Sequence, residues 1–560
     1  MEKSSTTNYM MHMKNLIRTT FLICLLHLIC TCSHAQESWL QMHGSFGASS
    51  DYFSQNNSTL PALDPVHRAS INISLNLFNK IELPFSAYIT NRGGAGYSQP
   101  FNQFGINPKF GNWLQLHGGY FSKQYSEFTL GDTRLLGGGI DLTLKNFQIS
   151  GIYGYSLLAR QGDSTQNFGG TYARRMVGGR LGYSSDKSTF GINILHGWDD
   201  PTSIAPIRFT TLPFENLVTS LSFSTPIIDE ILNVDGEAGI SMFTANTSAI
   251  LVDSSNRINE LESIVGYNSS TSMDVAFRLG MGVNISENFS IRGNAKWVGP
   301  GFVSLGYTQM LNDMIELTVS PSLRLLDNAI SLNGSIGSRT NNLRNMKTGT
   351  TSQLIGSVSA NIQFTQQIGL DASYSNFGIR STVQNDTLRI SNISQFYSLT
   401  PHVNFQMFDG ANTVSISLLH QSTNDQNQFN PNPQNNENTT VSAMHSIAFP
   451  SSLSFTTVAM KNNGKSSGIT NTEISITNFN ETVGYSIFEK TLALSASLGM
   501  NFIKVGTETS QFFARFTASY TAGAWGNLGL SVMNNSYDYS ATGALSYSEF
   551  QGSLQYGVSF

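Results

Sequence analysis

Charged residues cluster in the middle third of this chain in pairs two or four positions apart: Asp235 and Glu237, Asp274 and Arg278, Arg292 and Lys296. Glu316, Arg324 and Arg339 follow. Even spacing puts each pair on one face of an extended strand. Pairing through a turn at 286–288 sets Arg278 opposite Lys296, a like-charge contact unless an acid or an anionic solute lies between them. On a hydrated wall such a strip could orient or select ions and polar solutes. A salt-bridge network that stiffens the wall is the plainer reading and the favoured one. Histidines beyond the leader are scattered singly at 43, 67, 117, 196, 402, 420 and 445. His196 with Asp199 and Asp200 comes nearest to a catalytic or calcium-binding constellation. One acid pair without further oxygen ligands instead reads as the start of a solvated loop before Pro201. The expectation is therefore no enzyme, no metal site and no cofactor.

These residues are carried on strands. Met273, Val275, Phe277, Leu279, Met281, Val283 and Ile285 form one stripe, opposed by Asp274, Arg278 and Asn284. Ile71, Ile73, Leu75 and Leu77 repeat the pattern, as do Leu492, Leu494, Ala496, Leu498, Met500 and Phe502. Period two excludes a helix, whose apolar residues recur three and four apart. Each run has roughly the 9 to 13 residues that cross a bilayer with tilt. Tight turns are expected near 79–80, 111–112, 145–146, 185–187, 229–230 and 286–288. Others follow near 327–328, 365–367, 409–410, 450–452, 489–490 and 523–526. Between them lie longer polar loops such as 49–67, 157–173, 198–215, 244–270, 376–394 and 422–440, and parity places 302–312 in a loop. About twelve turns and about thirteen loops join about 24 to 26 strands into an all-β, antiparallel up-and-down barrel.

The chain ends on a strand with its own signature. Phe550, Leu554, Tyr556, Val558 and Phe560 share one face, with Gly552 in the remaining slot, and the other face is polar. This ending resembles the C-terminal assembly signal of bacterial outer-membrane β-barrel proteins. The resemblance covers 36–560 and implies that the insertion machinery reads the terminal Phe560. It implies outer-membrane lipid as the surroundings, and it names no porin or transporter family. Trp39, Trp113 and Trp525 are expected at the periplasmic ends of strands and Trp198 and Trp297 at the outer ends, as aromatic girdles at both interfaces.

The N-terminus points the same way. Lys14 and Arg18 precede the apolar run 21–30, and Ser33-His34-Ala35 supplies small residues for a signal peptidase. The expectation is a secretory signal over 1–35, cut before Gln36, with a single barrel over 36–560. Strands that begin near Trp39 leave no room for an N-terminal plug domain. All three cysteines, Cys24, Cys30 and Cys32, fall in the leader, so the remainder can build no disulfide or thiolate site. Charged residues make up 12% of the chain, against about 25% in ordinary soluble domains. Mean hydropathy is nevertheless −0.12, so apolar residues are diluted by alternation, as lipid-facing strands require. A net charge of −5 without a basic patch argues against nucleic acid.

Two functions follow as expectations. One is a porin-like channel, because about 26 strands enclose more space than side chains fill. The alternative is a non-conducting barrel, a surface adhesin or the membrane subunit of a secretion or attachment assembly, with a surface or periplasmic protein as partner.

Overall fold

A strand satisfies its backbone only when both edges are paired, and in this protein the first strand closes on the last. The computed structural model describes residues 39–560 apart from 57–63, 92–101, 132, 166, 209, 251–265, 384–388 and 541–542. The expected leader, 1–35, lies outside the described residues. Leu40–Gln55 pairs antiparallel with Val66–Leu77 on one side and with Tyr547–Ser559 on the other. The seam is extended by Phe560, whose amide donates to the Gly44 carbonyl at 3.0 Å while its carbonyl accepts from the Gly44 amide at 2.7 Å. Gly44 is required there, because a Cβ would stand 2.6 Å from the Asn72 carbonyl oxygen and 2.9 Å from the Phe560 ring.

Between first and last, consecutive strands pair antiparallel around a closed wall. The short segments Gln103–Ile106 and Lys109–Phe110 share one place between Ile81–Thr90 and Leu114–Ser122, which leaves a 26-strand barrel. Among the described residues helical backbone is confined to 3-10 turns such as Gly523–Trp525, and no helix is long and apolar enough to cross a membrane.

All twelve tight turns fall where the sequence places them. Several use left-handed backbone, as at Phe408 (φ 56°) and Asp409 (φ 56°), because two-residue turns of this hand match the twist of the strands they join. The connections at 157–173 and 244–270 have the expected bounds, whereas those at 49–67, 376–394 and 422–440 are shorter than expected. Strands run on to Gln55, Val383 and Asp425 and restart at Val66, Ser391 and Asn435. The polar Asn and Ser residues there pair as ladder, since backbone hydrogen bonding asks nothing of side-chain type.

Alternation sorts the two faces. On Thr271–Ser286, Met273, Phe277, Leu279 and Met281 point outward, each about half exposed. Asp274, Ala276, Arg278 and Gly280 point inward. A belt of such residues circles the wall, and at the short-turn rim Phe78, Phe408 and Phe488 extend it onto the turns. The inward face carries hydroxyls and amides in cross-strand ladders. Asn478 donates to Asn501 at 2.6 Å, Asn501 donates to Gln511 at 2.9 Å, and Thr482 meets Ser497 at 2.9 Å.

Candidate functional site

Among the described residues, two connections fold into the barrel rather than leave it. Residues 123–131 follow Leu114–Ser122, and residues 299–313 follow Phe289–Val298. They meet in a short parallel bridge between Leu130 and Gly306. The Gly131 amide donates to the Gly306 carbonyl at 3.2 Å, and the Tyr307 hydroxyl donates to the Ser126 carbonyl at 3.1 Å. The loop assignment of 302–312 is thus right, but its place is the lumen.

Packing holds this internal block in place. Phe128 and Phe302 are fully buried, edge to face at 5.6 Å, against inward-facing Val218, Ala276, Val298 and Met314. A second cluster sets Tyr125, Leu130 and Leu305 against Leu135, Ile152, Met176 and Leu195 of the wall. Gly239 lies directly beneath, where a Cβ would be 3.3 Å from Phe128 and 3.4 Å from the Phe302 ring. Polar anchors complete the dock. The Asn216 side chain donates to the Val303 carbonyl at 2.9 Å and accepts from the Leu305 amide at 3.1 Å. The Ser241 hydroxyl donates to the Val303 carbonyl at 2.6 Å.

The charged strip is organised around this block. Glu237, predicted on the lumen face, accepts from the backbone amides of Glu127 (3.0 Å) and Phe128 (3.2 Å). That fixes the Glu127 carboxylate between Arg278 Nε at 2.8 Å and Lys296 Nζ at 2.7 Å. Glu127 is therefore the acid that the Arg278–Lys296 juxtaposition demands, supplied by the chain itself. Asp235 takes the other side of Arg278 at 2.6 Å and Arg292 at 2.6 Å. This network stiffens the wall, yet Glu127 and Arg292 remain more than one-third exposed to the lumen.

The other predicted residues lie apart from it. Asp274 accepts from Arg344 at 2.6 Å and from the Gly301 amide at 2.8 Å, so it anchors the second inward segment. Asp313 clamps the end of that segment through Lys347 at 2.5 Å. Burial opposes its ionisation, but the hydrogen bonds from Lys347 and the amides of Leu343 and Asn342 outweigh it and hold the carboxyl below its ordinary value. Glu316 pairs with Arg339 at 2.5 Å, one register step around the wall from Lys296. Arg324 is exposed at the short-turn rim, remote from the others.

His196, Asp199 and Asp200 are not brought together. Asp199 faces inward and holds Arg174 at 2.8 Å, whereas His196 faces outward, stacks on Trp198 at 4.8 Å and meets Glu215 at 3.0 Å. Asp200 pairs with Arg175 at 3.0 Å. Trp39, Trp113 and Trp525 stand at the short-turn rim, and Trp198 and Trp297 at the other ends of their strands. Trp297 stacks on Phe277 at 5.3 Å. Of the terminal set, Phe550 and Leu554 are exposed on the outward face and Val558 is buried beside the 523–526 turn. The Tyr556 hydroxyl donates to the Trp525 carbonyl at 2.8 Å.

Sequence reasoning missed Glu127 and the entry of residues 123–131. A signal was present: Ile194-Leu195, Leu217-Val218 and Trp297-Val298 are neighbouring apolar pairs that break the alternation. The second member of each is the wall residue that the inward block covers.

No protein-family model matches the sequence, and no curated protein does. Among solved structures the chain is similar to the P pilus usher (PapC) translocation pore, at 9% identity and a TM-score of 0.37, over 93% of this chain and 99% of that one. It is similar to OccAB2 of Acinetobacter baumannii at 11% identity and a TM-score of 0.29, over 67% of this chain and 97% of that one. It is also similar to OpdK of Pseudomonas aeruginosa with vanillate, at 11% identity and a TM-score of 0.30, over 62% and 94% of the two chains.

Proposed function

We propose that this protein is a porin-like channel for polar solutes in a bacterial outer membrane, narrowed on one side by its own inward segments. The observation that carries this reading is the mismatch between barrel and block. A 26-strand wall at ordinary strand spacing and tilt is roughly 50 Å across. Residues 123–131 and 299–313 cover only the arc from Leu114–Ser122 to Met314–Leu325. From Gly349–Gln363 onward the inward face presents hydroxyls and amides suited to a hydrated lumen. The apolar outward belt supports lipid as the surroundings, because closed barrels are the sheet form that leaves no backbone group unpaired in a bilayer.

The test is single-channel conductance of the refolded mature chain, taken as 36–560, in a planar bilayer. Stable large steps are expected, and neutralising Arg278, Arg292 and Lys296 together should shift ion selectivity toward cations. A heat-modifiable barrel that never conducts would favour the non-conducting alternative. Export and insertion make a second prediction. Phe560→Ala keeps the backbone bonds to Gly44 and removes only the ring, so the seam can still close. Its outer-membrane level should fall severalfold while the chain still reaches the periplasm. Normal levels would remove Phe560 from any role in recognition by the insertion machinery.

A further inference from the structure

Among the described residues the outward belt is interrupted by one polar row. His445, Thr457 and Glu481 lie side by side on the adjacent strands Asn435–Ala448, Leu453–Ser467 and Thr472–Ile487. Their row continues into Leu498 of Leu492–Val505. Glu481 sits between Phe479 and Val483 on its own outward face, and Phe479 and Leu498 beside it are both more than half exposed. Elsewhere on the outward face, among the described residues, acids stand at or near strand ends: Asp200, Glu215, Glu437, Glu473, Glu508 and Asp538. A charged group at the depth of Glu481 is unfavourable against lipid and marks a surface that is covered by something polar.

The local geometry prepares the row for a partner. Among the described residues the Glu481 carboxylate has one polar contact, the Thr457 hydroxyl at 2.5 Å. His445 Nε2 meets Asn412 Oδ1 at 2.9 Å, and that amide is fixed by donating to the Met407 and Gly410 carbonyls, each at 2.9 Å. The orientation of the Asn412 amide makes Nε2 the donor. The other ring nitrogen makes no hydrogen bond among the described residues. Ala443 and Ala459, the next outward residues above His445 and Thr457, are small enough to let a second wall approach closely.

We propose that this face is a two-fold contact between two copies of the barrel, in which Glu481 of each copy faces His445 of the other. The row is self-complementary, with an acid at one end, a base at the other and Thr457 between them. A two-fold axis along the membrane normal beside Thr457 turns the acid end of each row toward the base end of the other, and the long Glu481 and His445 side chains span the difference in depth that strand tilt puts between them. Lys461, one outward position beyond Ala459, adds a second base at the edge of the same patch. The inference rests on the membrane reading of the barrel, because an acid on a water-facing wall would need no cover.

The test uses the full chain expressed and processed in a bacterial outer membrane. The leader carries the only cysteines, so a single Thr457→Cys places one thiol at the expected axis. Leu181→Cys, outward on the far side of the wall and 48% exposed, serves as the control. Oxidation should convert most of the Thr457→Cys barrel into a species of twice its mass and leave Leu181→Cys single. Adding Glu481→Leu to Thr457→Cys should lower the dimer yield at least tenfold. A membrane-inserted, heat-modifiable Thr457→Cys barrel that stays single overturns the proposal. So does capture in an adduct of another mass, which would mean that a different protein covers the face. A chain recovered outside the membrane overturns the membrane reading itself.

Discussion

Truncating Phe128 to alanine is expected to enlarge the pore without unmaking the barrel. Removing a fully buried Phe from a core costs about 3–5 kcal/mol, which is roughly a 10²- to nearly 10⁴-fold change in the ratio of docked to released states. The loss falls on the internal block, since the wall ladders do not use Phe128. Once Phe128 no longer holds the block down, Glu127 loses its fixed place between Arg278 and Lys296, and two cations face the lumen together. Phe128→Ala should therefore show larger and noisier conductance steps, a higher size cut-off for neutral polymers and a shift toward anions, with heat-modifiability retained. Unchanged conductance and cut-off would mean that residues 123–131 do not limit the pore.

The second large effect tests the facing of the wall. Leu279→Arg places a charge near mid-belt on the outward face and should cost about 2–4 kcal/mol of folding stability in a bilayer. The same substitution on the lumen face should cost far less. By alternation alone Gly280 would serve as that control, but Asp235 Oδ1 and Arg292 Nη2 stand 2.7 and 2.8 Å from where its Cβ would be. A side chain there would break the ion pairs. Ser357, inward and exposed opposite Ser335 and Ser375, is the suitable site. Reversible unfolding in vesicles should show Leu279→Arg much less stable than Ser357→Arg, and equal losses would reverse the assigned faces.

Much of this molecule is legible in its residues because β-structure is locally encoded. Period two in Met273–Ile285 names the outward face directly, and Asp409-Gly410 or Glu489-Lys490 name turns through their own backbone preferences. Two cases show the limit. The loops at 376–394 and 422–440 read as polar and therefore irregular, yet Ser391–Met407 and Asn435–Ala448 extend well into them. Past the apolar belt a strand keeps its ladder while its side chains face water on both sides, so the pattern stops before the strand does. The row of His445, Thr457 and Glu481 was likewise not read, since Glu481 joins the hairpin pair His445 and Thr457 only through the register set across the connection at 468–471.

The barrel, its turns, its two faces and the need for an acid or an anionic solute between Arg278 and Lys296 are written in the residues, because each follows from alternation and from hairpins closed by short turns. Which group fills that place, and which connections enter the lumen, depends on contacts made after folding. Glu127 reaches Lys296 across 169 positions of sequence. Residues 123–131 stay inside because Phe128 and Leu130 find apolar wall residues and Glu237 finds their amides. Those complementary surfaces exist only once the wall has closed, and no periodicity within either segment records them.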